Sequence, residues 1–413
     1  MTQPVRYHIF QAYGVELEYM IVDCETLNIR PIADELLKHE LGHLGSDFEN
    51  DIITWSNELV MHVIELKSTK PESNFSLLQN GFADNVARVN GVLKKWNAVL
   101  MPTAAHPWMN PLTETKLWPH DSNEVYDVYN RIFDCKGHGW SNLQSTHLNL
   151  PFYDDEEFAR LHAAVRMILP LLPALCASSP ILDGKVTGYK DTRLNFYKTN
   201  QAKIPSITGK VVPEAVFSKR QYLNTIYEKI KNDIAPFDPD NILNPIWVNS
   251  RGAIPRFDRG SIEIRVMDVQ ECPAADLAIQ ILVIETIKAI VNESFCNIEE
   301  QMRLKTEILA GVLDETALHG QSAEILSSEV PGAFGFSAPC NAQQLWQHIL
   351  NQLLEKEDTP LRNWEPEIAT ILREGTLSDR IVRSMNRDFS QPSIINTYQK
   401  LIDCLAQNKM FQG

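Results

Sequence analysis

Short stretches of alternating hydrophobic and polar residues are interspersed along the chain with longer stretches of helical spacing, so both strands and helices are expected. Residues 13–22 (YGVELEYMIV) alternate and then turn apolar, which predicts a strand. Residues 60–66 (VMHVIEL), 98–101 and 142–150 (NLQSTHLNL) predict three more. Leu37, Leu41 and Leu44 give helical spacing over 34–44, with Gly42 and Gly45 ending it. Further helices are predicted over 74–96, 124–133, 154–169, 218–233 and 273–292, the last strongly amphipathic. Residues 180–213 read as loops with short extended pieces. Residues 246–268 read as a hairpin, with WVNSR running out, GAIPRFDRG crossing and SIEIRVMD returning. From Ile298 onward the pattern is almost entirely helical, broken by a loop around 331–339. This mixed order predicts an α+β fold with a largely antiparallel sheet rather than a doubly wound parallel one. No long linker appears, so residues 1–413 are expected to form one unit, mainly helical from about residue 298.

Composition narrows the function. Of 413 residues, 44% are hydrophobic and 22% charged, ordinary values for a soluble globular chain. Asp and Glu outnumber Lys and Arg by 53 to 38, giving a net charge of −15. That balance argues against a nucleic-acid partner and suits carboxylates that hold cations. The opening MTQPVRYHIFQAYG lacks a basic stretch followed by an apolar one, so no leader is expected. Pro170, Pro173 and Pro180 interrupt the most apolar region, so no membrane span is expected either. Seven scattered cysteines without a CxxC pair read as free thiols of a reducing cytosol. Among them, Cys135 and Cys176 are expected to be small buried apolar residues.

One short motif matches a known metal pattern. His39-Glu40-Leu41-Gly42-His43 has the HExxH form, in which two His on one helix face bind zinc and the Glu serves as base. Its context favours a solvent-facing helix end instead. Both His lie off the leucine stripe, the glycines end the helix, and Ser46 and Glu49 stand where the longer form needs Gly and His.

A second set of residues is spread over four strand segments. In a strand, i and i+2 share a face. Glu16 and Glu18 therefore project together, opposite Val15, Leu17 and Tyr19. His147 and Asn149 share a face in THLNL, as do Glu263 and Arg265 in SIEIRV, while Glu65 lies in the second strand with Glu58 just before it. Carboxylates gathered on one face repel unless cations lie between them. Oxygen ligands with one His suit Mg²⁺ or Mn²⁺, and an Arg beside a carboxylate suits phosphoryl transfer.

These segments, in order, resemble glutamate–cysteine ligase family 2. GVELEY resembles the family's opening strand, Glu58 and Glu65 its next acidic pair, and STHLNL its His strand. ASSPILDGKVTGYKDTR (177–193) and WVNSRGAIPRFDRGSIEIRVMD (247–268) resemble two longer family motifs, and REGTLSDRIVR (373–383) a late helical one. Ser261 stands where the family commonly has Thr. The resemblance implies a glutamine-synthetase-like catalytic fold, a curved, largely antiparallel sheet forming a funnel flanked by helices. It implies ATP with Mg²⁺ or Mn²⁺. Glu16, Glu18, Glu58, Glu65, His147 and Glu263 would be metal or ATP-phosphate ligands, and Arg265 would clamp the γ-phosphate. Arg193 would meet the substrate's α-carboxylate, and Arg251 substrate or nucleotide phosphate. The implied reaction is ATP-dependent amide formation through γ-glutamyl phosphate, with small-molecule substrates: glutamate or a similar amino acid, and cysteine or another amine. The rival readings are a zinc metallopeptidase built on His39 and His43, and a non-catalytic nucleotide-binding regulator. Homo-oligomerisation is left open.

Overall fold

A computed structural model describes residues 6–121, 123–337 and 339–413. Residues 1–5, where the leader was sought, and Ala338 in the predicted 331–339 loop lie outside that range. Strand β1 (Gly14–Asp23) lies inside the main sheet, and its alternation is as expected: Val15, Leu17 and Tyr19 are fully buried in the core. Two strands unseen in the sequence, β2 (Asp47–Asn50) and β3 (Ile53–Asn57), come next, then β4 (Val63–Ser68), which begins three residues later than predicted. Strand β5 (Ala98–Met101) matches its prediction, and β6 (Ser145–Pro151) starts three residues later and ends one residue later than predicted. A small separate hairpin, β7 (Ile181–Leu182) and β8 (Lys185–Val186), precedes β9 (Ala253–Arg256) and β10 (Ser261–Asp268).

The main sheet runs β2-β3-β4-β1-β6-β10-β9, and all its pairs are antiparallel. Met20 of β1 pairs with Val63 on one side and Met101 on the other, so β5 and β6 share one edge of β1 end to end. The chain is α+β with an antiparallel sheet and flanking helices.

Helices Phe75–Leu93, Asp155–Ile168 and Pro273–Val291 contribute buried side chains to the core that the sheet's apolar face enters. The last helix packs against the other two. It is not amphipathic, contrary to its pattern. Asp276, Gln280 and Thr286 are as buried as its leucines, and only Glu285 and Lys288 stay partly exposed. The outgoing arm of the predicted hairpin also differs. Pro245–Val248 forms a helical turn capped by the Asn244 side chain, which leaves Trp247 exposed, and the strand starts only at Ala253. Gly42, at φ 76°, closes the first helix (Ala33–Leu41) by bonding the Lys38 carbonyl, so His43 falls beyond the helix and Leu44 is exposed.

Two histidines in this framework are fully buried and uncharged. His62 Nε2 bonds the Ser141 carbonyl at 2.8 Å. His106 Nε2 bonds the Leu27 carbonyl at 2.7 Å, while its Nδ1 accepts the N–H of Met109 at 3.0 Å. Burial pushes both down to about 4. The fold holds the neutral form, so this contribution is complete above the unfolded value near 6.5 and is lost as pH falls towards 4. The destabilisation caused by His106→Gln should therefore be largest at pH 7. It should shrink by about 1.4 kcal/mol per pH unit below 6.5 in urea titrations of wild type and variant. A difference constant across that range would contradict a buried neutral His106.

Candidate active site

The polar face of the sheet brings the predicted acidic residues together through its register. Glu16 lies opposite His147 on β6 and Lys67 on β4, and Glu18 lies opposite Glu65. Glu65 in turn faces Ser56 on β3, and Glu263 faces Asn149. His147 Nδ1 is 2.8 Å from Glu16 and 4.0 Å from Glu263, and its Nε2 is 3.8 Å from Glu18. Asn149 donates to Glu16 at 3.0 Å. Glu18 accepts from the Ser145 N–H at 2.7 Å and from the Ser145 hydroxyl at 3.0 Å. Ser56 donates to Glu65 at 2.7 Å.

Burial and mutual repulsion shape the ionisation of this face. Burial raises the Glu58 carboxyl well above its usual range, and the charges of Glu18 and Glu65 add to it. Burial also raises Glu65, with Glu16 adding to the effect. Glu16 goes the other way: its burial is outweighed by the hydrogen bond and charge of His147. The same pairing overcomes the burial of His147 and lifts it to about 9. Burial opposes the Lys67 ammonium, but Glu65, 2.9 Å away, outweighs it and raises its pKa.

These donors fit a hard divalent cation. Ligand atoms of Glu16, His147 and Glu263 lie within 4.8 Å of one another, the one such cluster of three among the described residues. Two carboxylates and an imidazole, with carboxylates surplus to their hydrogen bonds nearby, are the chemistry Mg²⁺ or Mn²⁺ takes.

A cavity opens on each side of the acidic row. One, of about 170 Å³, is lined by Glu18, Glu58, His147, Arg193, Tyr197 and Arg265 among others. The other, of about 530 Å³, is lined by Glu16, Lys67, Lys70, Asn149 and Arg259 among others. Arg265 forms an ion pair with Glu263 at 3.0 Å and faces the first cavity. Arg193 is buried, yet it reaches the same cavity.

Arg251, expected to bind substrate or phosphate, lies outside both cavities and is paired with Glu214. Its Nε and Nη2 bind Glu214 at 2.5 and 2.6 Å, and its Nη1 meets Asn249 and the Ser206 carbonyl at 3.0 and 3.2 Å. All three of its nitrogens are engaged and it lines neither cavity; it ties the 206–214 loop to the segment before β9. The HELGH residues also stand apart. His39 meets Lys95 Nζ at 2.5 Å, Glu40 pairs with Arg88, and His43 bonds the Leu41 carbonyl.

Lys67, Ser56, Ser145 and Tyr197 belong to the site and went unpredicted. Lys67 was readable as the i+2 neighbour of Glu65. The others depend on which strands pair.

A sequence profile described as glutamate-cysteine ligase family 2 matches residues 12–312. A protein of Archaeoglobus fulgidus, described as uncharacterized, is 32% identical over 401 residues, covering 96% of this chain and 99% of its own length. A Bradyrhizobium protein (strain ORS 278) named "Putative glutamate--cysteine ligase 2" is 26% identical over 65% of this chain, a match spanning 59% of that protein. Among solved structures, a glutamate–cysteine ligase of Francisella tularensis in complex with AMP superposes with a TM-score of 0.61 at 13% identity, over 99% of this chain and 90% of that one. A bifunctional glutathione synthetase of Pasteurella multocida gives 0.65 at 14% identity, over 97% of this chain and 53% of that one. At such identities the structural likeness speaks for the fold, while the profile match across most of the chain speaks for descent: the chain belongs to glutamate-cysteine ligase family 2, and is a ligase.

Proposed function

We propose that the chain is an ATP-dependent carboxylate–amine ligase of the glutamate–cysteine ligase type. The observation that carries the reading is an acidic row, able to hold divalent cations, between two cavities that both present cationic side chains. The larger cavity, with Lys67, Lys70 and Arg259, suits a triphosphate. The smaller one, with Arg193 and Arg265, suits an amino acid whose side-chain carboxylate points at the row. That carboxylate oxygen attacks the γ-phosphorus and ADP leaves; an amine then attacks the acyl carbon, and inorganic phosphate and a proton depart.

Mg²⁺ or Mn²⁺ held by Glu16, His147 and Glu263 would supply charge neutralisation of the phosphates, with Glu18, Glu58 and Glu65 as candidates for further ions. Arg265 is held by Glu263 with its guanidinium at the cavity, where the transferred phosphoryl group gains charge on its oxygens. Its planar fork can bind two of those oxygens at once. No covalent nucleophile is required of the protein. ADP release measured across pairs of acids and amines tests the reading and identifies the amine; no release with any pair, from folded protein supplied with Mg²⁺ or Mn²⁺, would overturn it.

Glu18→Gln removes one ligand charge beside the phosphates while its amide oxygen can still accept from Ser145. It should melt like wild type yet release ADP at least about tenfold more slowly. Wild-type release would refute the metal assignment. Arg265→Lys keeps the charge but loses the fork, so kcat should fall by about tenfold or more with a smaller change in the KM for ATP. A rise in the ATP KM alone would move Arg265 from the transferring group to ground-state binding. Glu40→Gln and His43→Ala should leave ADP release unchanged. Stoichiometric zinc in wild type, lost together with activity in His43→Ala, would instead favour the peptidase reading.

A further inference from the structure

Strand alternation alone would put Asp268 on the face opposite Glu263 and Arg265, because its number differs in parity from theirs. The register shows otherwise. Ile264 pairs with Leu148, and the next pair is Met267 with Thr146, so Arg265 and Val266 together face His147 alone. This is a β-bulge, and the extra residue reverses the alternation beyond it. Asp268 then pairs with Ser145, whose hydroxyl bonds Glu18 on the site face, while Met267 takes the core position opposite Thr146. The bulge has a close-fitting seat. The Arg265 N–H donates to the Gly252 carbonyl at 2.9 Å, and a Cβ on Gly252 would come within 2.5 Å of Val266.

From this position Asp268, fully buried, meets Arg193. Its Oδ1 accepts from Arg193 Nε at 2.5 Å, and its Oδ2 is fixed by the Ser178 N–H at 2.8 Å and the Ser179 hydroxyl at 2.9 Å. The Ser179 hydroxyl also accepts the Arg193 backbone N–H at 3.1 Å. Asp191 caps the short helix Thr192–Tyr197 that carries Arg193, accepting the Leu194 N–H at 2.7 Å. Burial, reinforced by the charge of Asp268, pushes the Asp191 carboxyl well above its usual range. Arg193 Nη1 and Nη2 reach only the Arg265 carbonyl, at 3.5 and 3.4 Å, long for hydrogen bonds. The guanidinium is thus anchored along its Nε edge, its Nη groups are left with under-used donors, and Arg193 is among the residues that line the smaller cavity.

We infer that Asp268, placed on the site face by the β-bulge at Arg265–Val266, is a positioning residue that holds Arg193 with its two Nη groups aimed at the carboxylate of the bound amino acid. The inference rests on the ligase reading for the identity of that acid. Asp268 touches neither the cavity nor the reacting atoms, so it acts through Arg193.

The test combines steady-state kinetics, with L-glutamate and ATP varied in turn, and calorimetric titration of L-glutamate, on wild type, Asp268→Asn, Arg193→Ala and the double variant. Asp268→Asn should raise the KM and Kd for L-glutamate by about tenfold or more, with kcat and the ATP KM within about threefold of wild type. In the Arg193→Ala background the same change should add less than about twofold, because the residue it positions is gone. A general structural role would instead multiply the two effects or move the ATP KM as well, and either result would overturn the inference. So would an unchanged L-glutamate KM in a folded Asp268→Asn protein. If that variant does not fold, Ser179→Ala removes one bond to Asp268 and should raise the L-glutamate KM by about threefold; no rise would be equally decisive. Absence of turnover in wild type with any acid would sink the ligase reading, while L-glutamate binding to wild type and variants would still judge Asp268. Absence of L-glutamate binding to wild type would sink the carboxylate assignment of Arg193.

Discussion

Electrostatic repulsion among nearly buried carboxylates is the constraint around which the site is arranged. Glu16, Glu18, Glu65 and Glu263 share one sheet face with Glu58 beside it; Glu18, Glu65 and Glu263 are buried, and Glu16 and Glu58 half-buried. Such a group ionises only as far as positive charge is supplied. The protein supplies part of it. His147 sits among Glu16, Glu18 and Glu263, Lys67 is beside Glu65, and Arg256 and Arg265 flank Glu263. Glu58 and Glu65 remain displaced upward, chiefly by burial and then by their acidic neighbours. In the proposed ligase reaction, divalent ions held at this face would offset the remaining negative charge.

This arrangement requires strands that leave one face free of packing. The apolar face is occupied by three long helices, and the Pro273–Val291 helix is buried except at Glu285 and Lys288. Covering one face so completely leaves the other available to charge. The loops and short helices around 138–141 and 192–201 then form one wall of the smaller cavity, while Lys70 and Arg259 edge the larger one.

Much of this was legible in the sequence. The i, i+2 pairs of β1, β6 and β10 were visible because a strand's alternation is local, and the antiparallel α+β class followed from the order of elements. Family motifs supplied Arg193, whose loop position alone says nothing. Other features depend on contacts distant in sequence. Arg251 reads as a ligand within its motif, but Glu214 has already taken it. Buried Asp276 and Gln280 read as the polar face of a surface helix, because no local pattern reports what packs there. The face that Asp268 takes could not be read from strand alternation, since a bulge is a property of two strands and not of one.

That last feature changes how length and composition weigh against each other in this part of the chain. Along β10, side-chain direction is a phase, and the extra residue opposite His147 shifts it by half a period. A substitution at Val266 alters packing, but removing one residue between Ile264 and Met267 would rotate Met267 and Asp268 together, sending a methionine into the polar cleft and a carboxylate into the core. The count of residues separating Glu263 from Asp268 is therefore itself a structural element, distinct from the identity of any one of them.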